Sequence, residues 1–189
     1  EIESINCEVD TNSKFTLLDF LDKHLGRIGS RILNADSINS DLGFSSEIAS
    51  EFIPLLQNAL NEISTSKPEY AELIQTVWNK FVNSVRENET ADSFDIAFYV
   101  DEFFLTTIAK CLCANVLSEN ALISSEEELK SILNGDFFKL KGYDNVVEYD
   151  FFGWLNNLPV HATIINLTRK IQLDLRAYDY TLTIEEDLF

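Results

Sequence analysis

The run Phe94–Leu117 limits the fold of this chain more than any other feature. Its only charged residues are Asp95, Asp101, Glu102 and Lys110, and it contains neither glycine nor proline. Such a run reads as one long helix that is apolar on most sides. A helix of that kind must be surrounded, so it belongs in the middle of a bundle. Its charges stand too close to the centre for a membrane span. The whole chain has 6 Gly and 3 Pro among 189 residues, too few breakers for a turn-rich β architecture.

Helical spacing recurs around this centre. Phe15, Leu18, Leu21, Leu25, Ile28 and Ile32 predict a helix over Phe15–Leu33. Ser45 or Ser46 can cap a second helix carrying Ile48, Phe52, Leu55, Leu56, Leu60 and Ile63, with Pro54 as a kink. Ser64–Pro68 reads as a turn, with Ser66 and Glu69 as a capping-box pair. A third helix follows with Tyr70, Leu73, Ile74, Val77, Trp78, Phe81 and Val85. Ser125 with Glu128 predicts another N-terminus, and Gly135 the matching stop. Val160–Tyr178 reads as the last full helix. The expected fold class is all-α: an irregular multi-helix bundle around residues 94–117, with one short strand near Val146–Tyr149 and no strand pairs. Residues 1–189 read as one helical domain, with an aromatic-rich connector over 134–159.

The net charge is -18, from 32 acidic and 14 basic side chains. A field of that sign repels phosphates, so DNA contact needs a local basic face. Lys23, Arg27 and Arg31 recur every four residues and line one such stripe; Arg169, Lys170 and Arg176 offer another. Either can instead be an ordinary solvated face. Cys7, Cys111 and Cys113 are odd in number and lie in or near apolar sequence, which suggests reduced thiols in a cytoplasmic protein. Cys111 and Cys113 diverge by roughly 200° on a helix and cannot share a metal.

Catalytic patterns are sparse. His24 and His161 are the only histidines, and neither has a second ligand at helical spacing, so no metal site is expected. The chain contains no Gly-x-Gly and no Gly-x-Ser-x-Gly. Asp101 and Glu102 form an acid/base pair on paper, but neighbouring helical side chains diverge by about 100°. They read better as capping groups or as contacts for a basic partner. Glu128-Leu129-Lys130 has the Glu-x-Lys spacing of a nuclease and reads as surface charge. The aromatics Phe137, Phe138, Tyr143, Tyr149, Phe151, Phe152 and Trp154 have only Lys139 and Lys141 beside them, which favours packing over base stacking. No catalytic, cofactor-binding or metal residue is therefore assigned.

The segment Ile132–Leu155, ILNGDFFKLKGYDNVVEYDFFGWL, resembles the helical N-terminal region of large restriction–modification adenine-N6 DNA methyltransferases, including type IIG-like enzymes. Its marker is Tyr149-Asp150-Phe151-Phe152-Gly153-Trp154. Arg176-Ala177-Tyr178-Asp179-Tyr180 and the helix start at Thr183–Leu188 resemble the step that follows in the family. Leu105, Ile108-Ala109-Lys110, Trp78–Phe81 and the turn Asp41-Leu42-Gly43-Phe44 fit as well. Glu102-Phe103-Phe104 departs from the His-Thr-Tyr that the family favours before that leucine.

The resemblance implies a parent enzyme that uses S-adenosylmethionine and flips the target adenine into a pocket. It implies a methyltransferase core of the same chain as the nearest partner, DNA reached through the parent protein, and no membrane. The adjacent prolines and glycine-rich loop of that core are not in these residues. The start at Glu1, the lack of Met, and Thr183/Glu186 opening a helix of under two turns are read as signs of a piece of a longer chain. The expected role is a non-catalytic scaffold that helps position DNA. The alternative is a stand-alone acidic interaction module of the DNA-mimic type.

Overall fold

The computed structural model describes residues 31–85, 94–118, 123, 125–144, 146 and 161–180. Among them it has β1 (Arg31–Ile32), α1 (Ala35–Leu42), α2 (Glu47–Ser66), α3 (Pro68–Val85), α4 (Ile96–Leu117), α5 (Glu126–Asn134), α6 (Asp136–Leu140), α7 (His161–Leu175) and β2 (Tyr178–Asp179). About 80% of the described residues are helical, so the fold is all-α with one short strand pair.

α4 is the centre, as its sequence requires. Asp95 caps it by accepting from the Ala97 and Phe98 N–H groups at 2.9 and 3.2 Å. Its buried residues cover more than half of its circumference: Tyr99, Val100, Phe103, Phe104, Thr107, Ile108, Cys111, Leu112, Ala114 and Asn115. α2, α5 and α7 pack around it, and α2 also carries α1 and α3. The main core runs through these helices, while Ala114, Ile123, Ile132 and Phe138 form a smaller cluster where α4 meets α5 and α6.

Short-range signals set most helix ends. Ser46, rather than Ser45, caps α2 by accepting from the Ala49 N–H at 3.1 Å. Pro54 lies inside α2 without ending it. It faces solvent, as does Ser50 one turn back, so water can reach the carbonyl whose donor proline removes. α5 has a full capping box between Ser125 and Glu128, and Gly135 ends it in the left-handed region at φ 88°. Gly43 matters for a different reason: a Cβ there would collide with the Asn39 carbonyl.

Two expectations near helix ends are corrected. Ser64–Pro68 is not a turn, because α2 continues through Ser66 and Lys67 alone joins it to Pro68, the first residue of α3. Ser64 and Thr65 donate to the Leu60 and Asn61 carbonyls at 2.8 and 3.0 Å, which lets the last turn tolerate hydroxyl residues. Ser66 is thus the end of one helix and not the cap of the next.

The second correction concerns strands. Arg31–Ile32 ends the segment read as the first helix, and Tyr178–Asp179 ends the segment read as the last. The two pair in parallel, with Arg31 opposite Tyr178 and Ile32 opposite Asp179. α7 stops at Leu175, where the Tyr180 hydroxyl donates to the Leu175 carbonyl at 2.7 Å. The strand expected at Val146–Tyr149 falls on a turn at Val146 and otherwise outside the described residues.

Lys110 shows how a charge is kept on the central helix. Its ammonium donates to the Leu133 carbonyl at 2.8 Å, in the last turn of α5. A cation there satisfies a terminal carbonyl and complements the helix dipole. Lys110→Met is expected to destabilise the protein by about 1–2 kcal/mol. Urea unfolding followed by circular dichroism measures it, and an unchanged midpoint would show that the contact contributes nothing.

Candidate functional site

The basic side chains singled out from the sequence are the first place to look for a site. Lys23 and Arg27 lie outside the described residues. Arg31 is on β1, half exposed, and its guanidinium pairs with Asp41 on α1. Asp41 holds that guanidinium still more firmly charged than usual. Lys170 on α7 reaches Glu51 on α2 at 2.6 Å and lies 5.8 Å from the centre of the Phe52 ring. Arg169 donates to Asn166 on its own helix at 3.3 Å. Arg176 is only 6% exposed. The stripes are therefore not bare. Arg31 and Lys170 each face a carboxylate, and a phosphate would have to compete with it.

Behind Arg31 lies a compact polar cluster. Tyr178 is fully buried, and its hydroxyl donates to the Asp41 carboxylate at 2.5 Å and reaches the Ser37 carbonyl at 3.1 Å. Burial, then the Asp41 carboxylate, pushes the Tyr178 phenol well above the ordinary tyrosine range. Burial does the same to Tyr180. These phenols stay protonated at neutral pH. Tyr178 is a donor that fixes α1 against the segment after α7, and Tyr180 is one that satisfies the last carbonyl of α7.

A second polar group sits between α4 and α7. Asn115 donates to the Gln172 side-chain carbonyl and to the Cys111 backbone carbonyl, the latter at 3.1 Å. Gln172 donates to the same Cys111 carbonyl at 3.4 Å. Thr168 turns its hydroxyl back to Ile164 at 2.7 Å. Asn115, Thr168 and Gln172 are almost fully buried. An amide pair in an apolar interface fixes the register of two helices, because sliding them would leave both groups unsatisfied. The sequence carried a faint signal for it: Asn115 and Gln172 are uncharged polar residues on otherwise apolar helical faces.

Cys111 is buried and Cys113 exposed, as their opposite directions on a helix require. Burial raises the Cys111 thiol, which keeps it protonated and unreactive. Burial, with Asp95 nearby, also holds Asp101 above the usual carboxylate range. Glu128 is used in the α5 capping box, and Lys130 pairs with Glu126 at 2.6 Å. His161 approaches Glu126 at 3.4 Å. No group of three or more His, Cys, Asp or Glu that could hold a metal ion occurs among the described residues.

Part of the aromatic segment is visible. Gly135 turns α5 directly into α6, Phe138 is fully buried, and Phe137 packs edge-on against it with ring centres 5.4 Å apart. These two residues are packing groups. Tyr143 is half exposed. Tyr149, Phe151, Phe152 and Trp154, like the capping pair Thr183/Glu186, lie outside the described residues. No helix among the described residues is long and apolar enough to cross a membrane.

Among the described residues the glycines with positive φ, Gly135 and Gly142, end α5 and close the turn after α6. Neither lies in a strand-to-helix loop where backbone N–H groups would meet a nucleotide. No protein family, curated protein or solved structure matches this chain.

Proposed function

We propose that this chain is a non-catalytic helical scaffold that positions DNA for a site-specific adenine-N6 methyltransferase of a restriction–modification system. S-adenosylmethionine and the base-flipping pocket would belong to a methyltransferase core in the same chain. The observation that carries the reading is the family-like segment after α5. Its first aromatics, Phe137 and Phe138, pack as structural residues in a continuous helical body. That agrees with a domain whose motifs serve shape and not reaction chemistry.

The second reading, an acidic module that mimics DNA, rests on the net charge of -18. A mimic would bind a basic protein cleft and not DNA itself.

The coding sequence beyond Phe189 discriminates first. A glycine-rich loop and an Asn-Pro-Pro-Tyr-like motif are expected there, and a stop codon in their place would overturn the scaffold reading. Direct contact is tested by titrating duplex DNA at low salt. Replacing Arg169 and Lys170 by alanine should weaken binding several-fold and lower the salt slope by about 1–2. Equal binding by both proteins would remove α7 as a DNA contact.

A further inference from the structure

One flank of α3, between its buried side and its polar outer side, is apolar and exposed. Ile74, Trp78 and Val82 are buried, but Tyr70, Leu73 and Val77 on the flank are 42%, 60% and 37% exposed. Their spacing of three and four residues makes one continuous stripe. Lys80 continues it in the C-terminal direction and is exposed, and no ion pair joins it to another described residue. Glu69 and Glu72, both exposed, stand near its other end.

We propose that α3 pairs antiparallel with α3 of a second copy of this chain. Charge order selects that partner and that direction. A twofold axis passing between Leu73 and Val77 sets Leu73 of one copy against Val77 of the other. At a rise of about 1.5 Å per residue, Lys80 of one copy then comes level with Glu69 and Tyr70 of the other. At about 100° per residue, Lys80 and Glu69 also fall on the same flank of the contact. Each copy thus offers an ammonium to the other's carboxylate at both ends of a short apolar seam. Parallel pairing would set each Lys80 level with the other Lys80 and each Glu69 level with the other Glu69, so neither end would gain an ion pair. The seam is about 15 Å long, so the interface lies at the small, transient end of the size range.

Sedimentation of the full chain over micromolar to millimolar concentration tests this. The expected result is a reversible rise from the 21.5 kDa monomer toward twice that mass. Leu73→Glu should hold the protein monomeric, and Lys80→Glu should weaken association at least tenfold. The double exchange Glu69→Lys with Lys80→Glu should restore it. These positions are exposed, so circular dichroism should show the fold retained. A monomer at every concentration would overturn the proposal, since the stripe would then be covered within the chain or by another partner. A dimer indifferent to Leu73→Glu, or not rescued by the charge exchange, would overturn it too.

Discussion

Trp78→Ala should lower the stability of this protein by about 3–5 kcal/mol, among the largest effects available to one substitution. Trp78 is 3% exposed and stands where α3 meets α4. Its ring centre lies 5.1 Å from Tyr99, edge-on, 5.4 Å from Phe81 and 5.7 Å from Phe98. Alanine would leave a cavity that three other rings cannot close without leaving their own rotamers. α3 depends on this cluster because its remaining buried side chains, Ile74 and Val82, are smaller. The thermal midpoint should fall by roughly 10 °C. A loss below about 1 kcal/mol in urea unfolding would show that α3 is held by other contacts.

Tyr178→Ala should have a comparable effect for a different reason. It removes a fully buried aromatic ring and a hydroxyl that donates to the Asp41 carboxylate and lies 3.1 Å from the Ser37 carbonyl, both on α1. About 3–5 kcal/mol is expected, and Tyr178→Phe should isolate the hydroxyl at about 1–2 kcal/mol. pH offers an independent reading. The folded phenols of Tyr178 and Tyr180 ionise above the ordinary tyrosine value. Their contribution is complete below about pH 10. Above it the unfolded chain releases these protons first, so stability falls as pH rises toward the folded values. The urea midpoint of the wild type should therefore drop more steeply above about pH 10 than that of Tyr178→Phe. Parallel curves would show that the Tyr178 phenol is not protected by the fold.

Where the sequence was readable, the information was local. The apolar run made α4 central, the Ser125/Glu128 pair opened α5, and Gly135 closed it, each through contacts within a few residues. Misreadings arose where helical spacing ran on into residues that pair as strands. Ile32 prolongs the pattern of Ile28, and Tyr178 that of Leu175, yet both belong to strands. What decides their conformation is a partner far along the chain, which periodicity cannot report. The same limit applies to the basic stripes. Spacing could line up Arg31, Arg169 and Lys170, but it could not show Asp41 and Glu51 waiting opposite two of them.

The strand pair has a kinetic consequence. Tyr178 contacts a residue 141 positions earlier, while most contacts of a helical bundle are local. Closing so long a loop costs entropy that two residues of ladder cannot offset. The parallel pair therefore cannot nucleate the fold. It is expected to form after α1 and α7 have been brought together on α2, late in assembly. Unfolding retraces that order. The junction between β1 and β2 is expected to open ahead of the α4 core, so that hydrogen-exchange NMR should find Arg31 and Tyr178 less protected than Phe104 and Ile108.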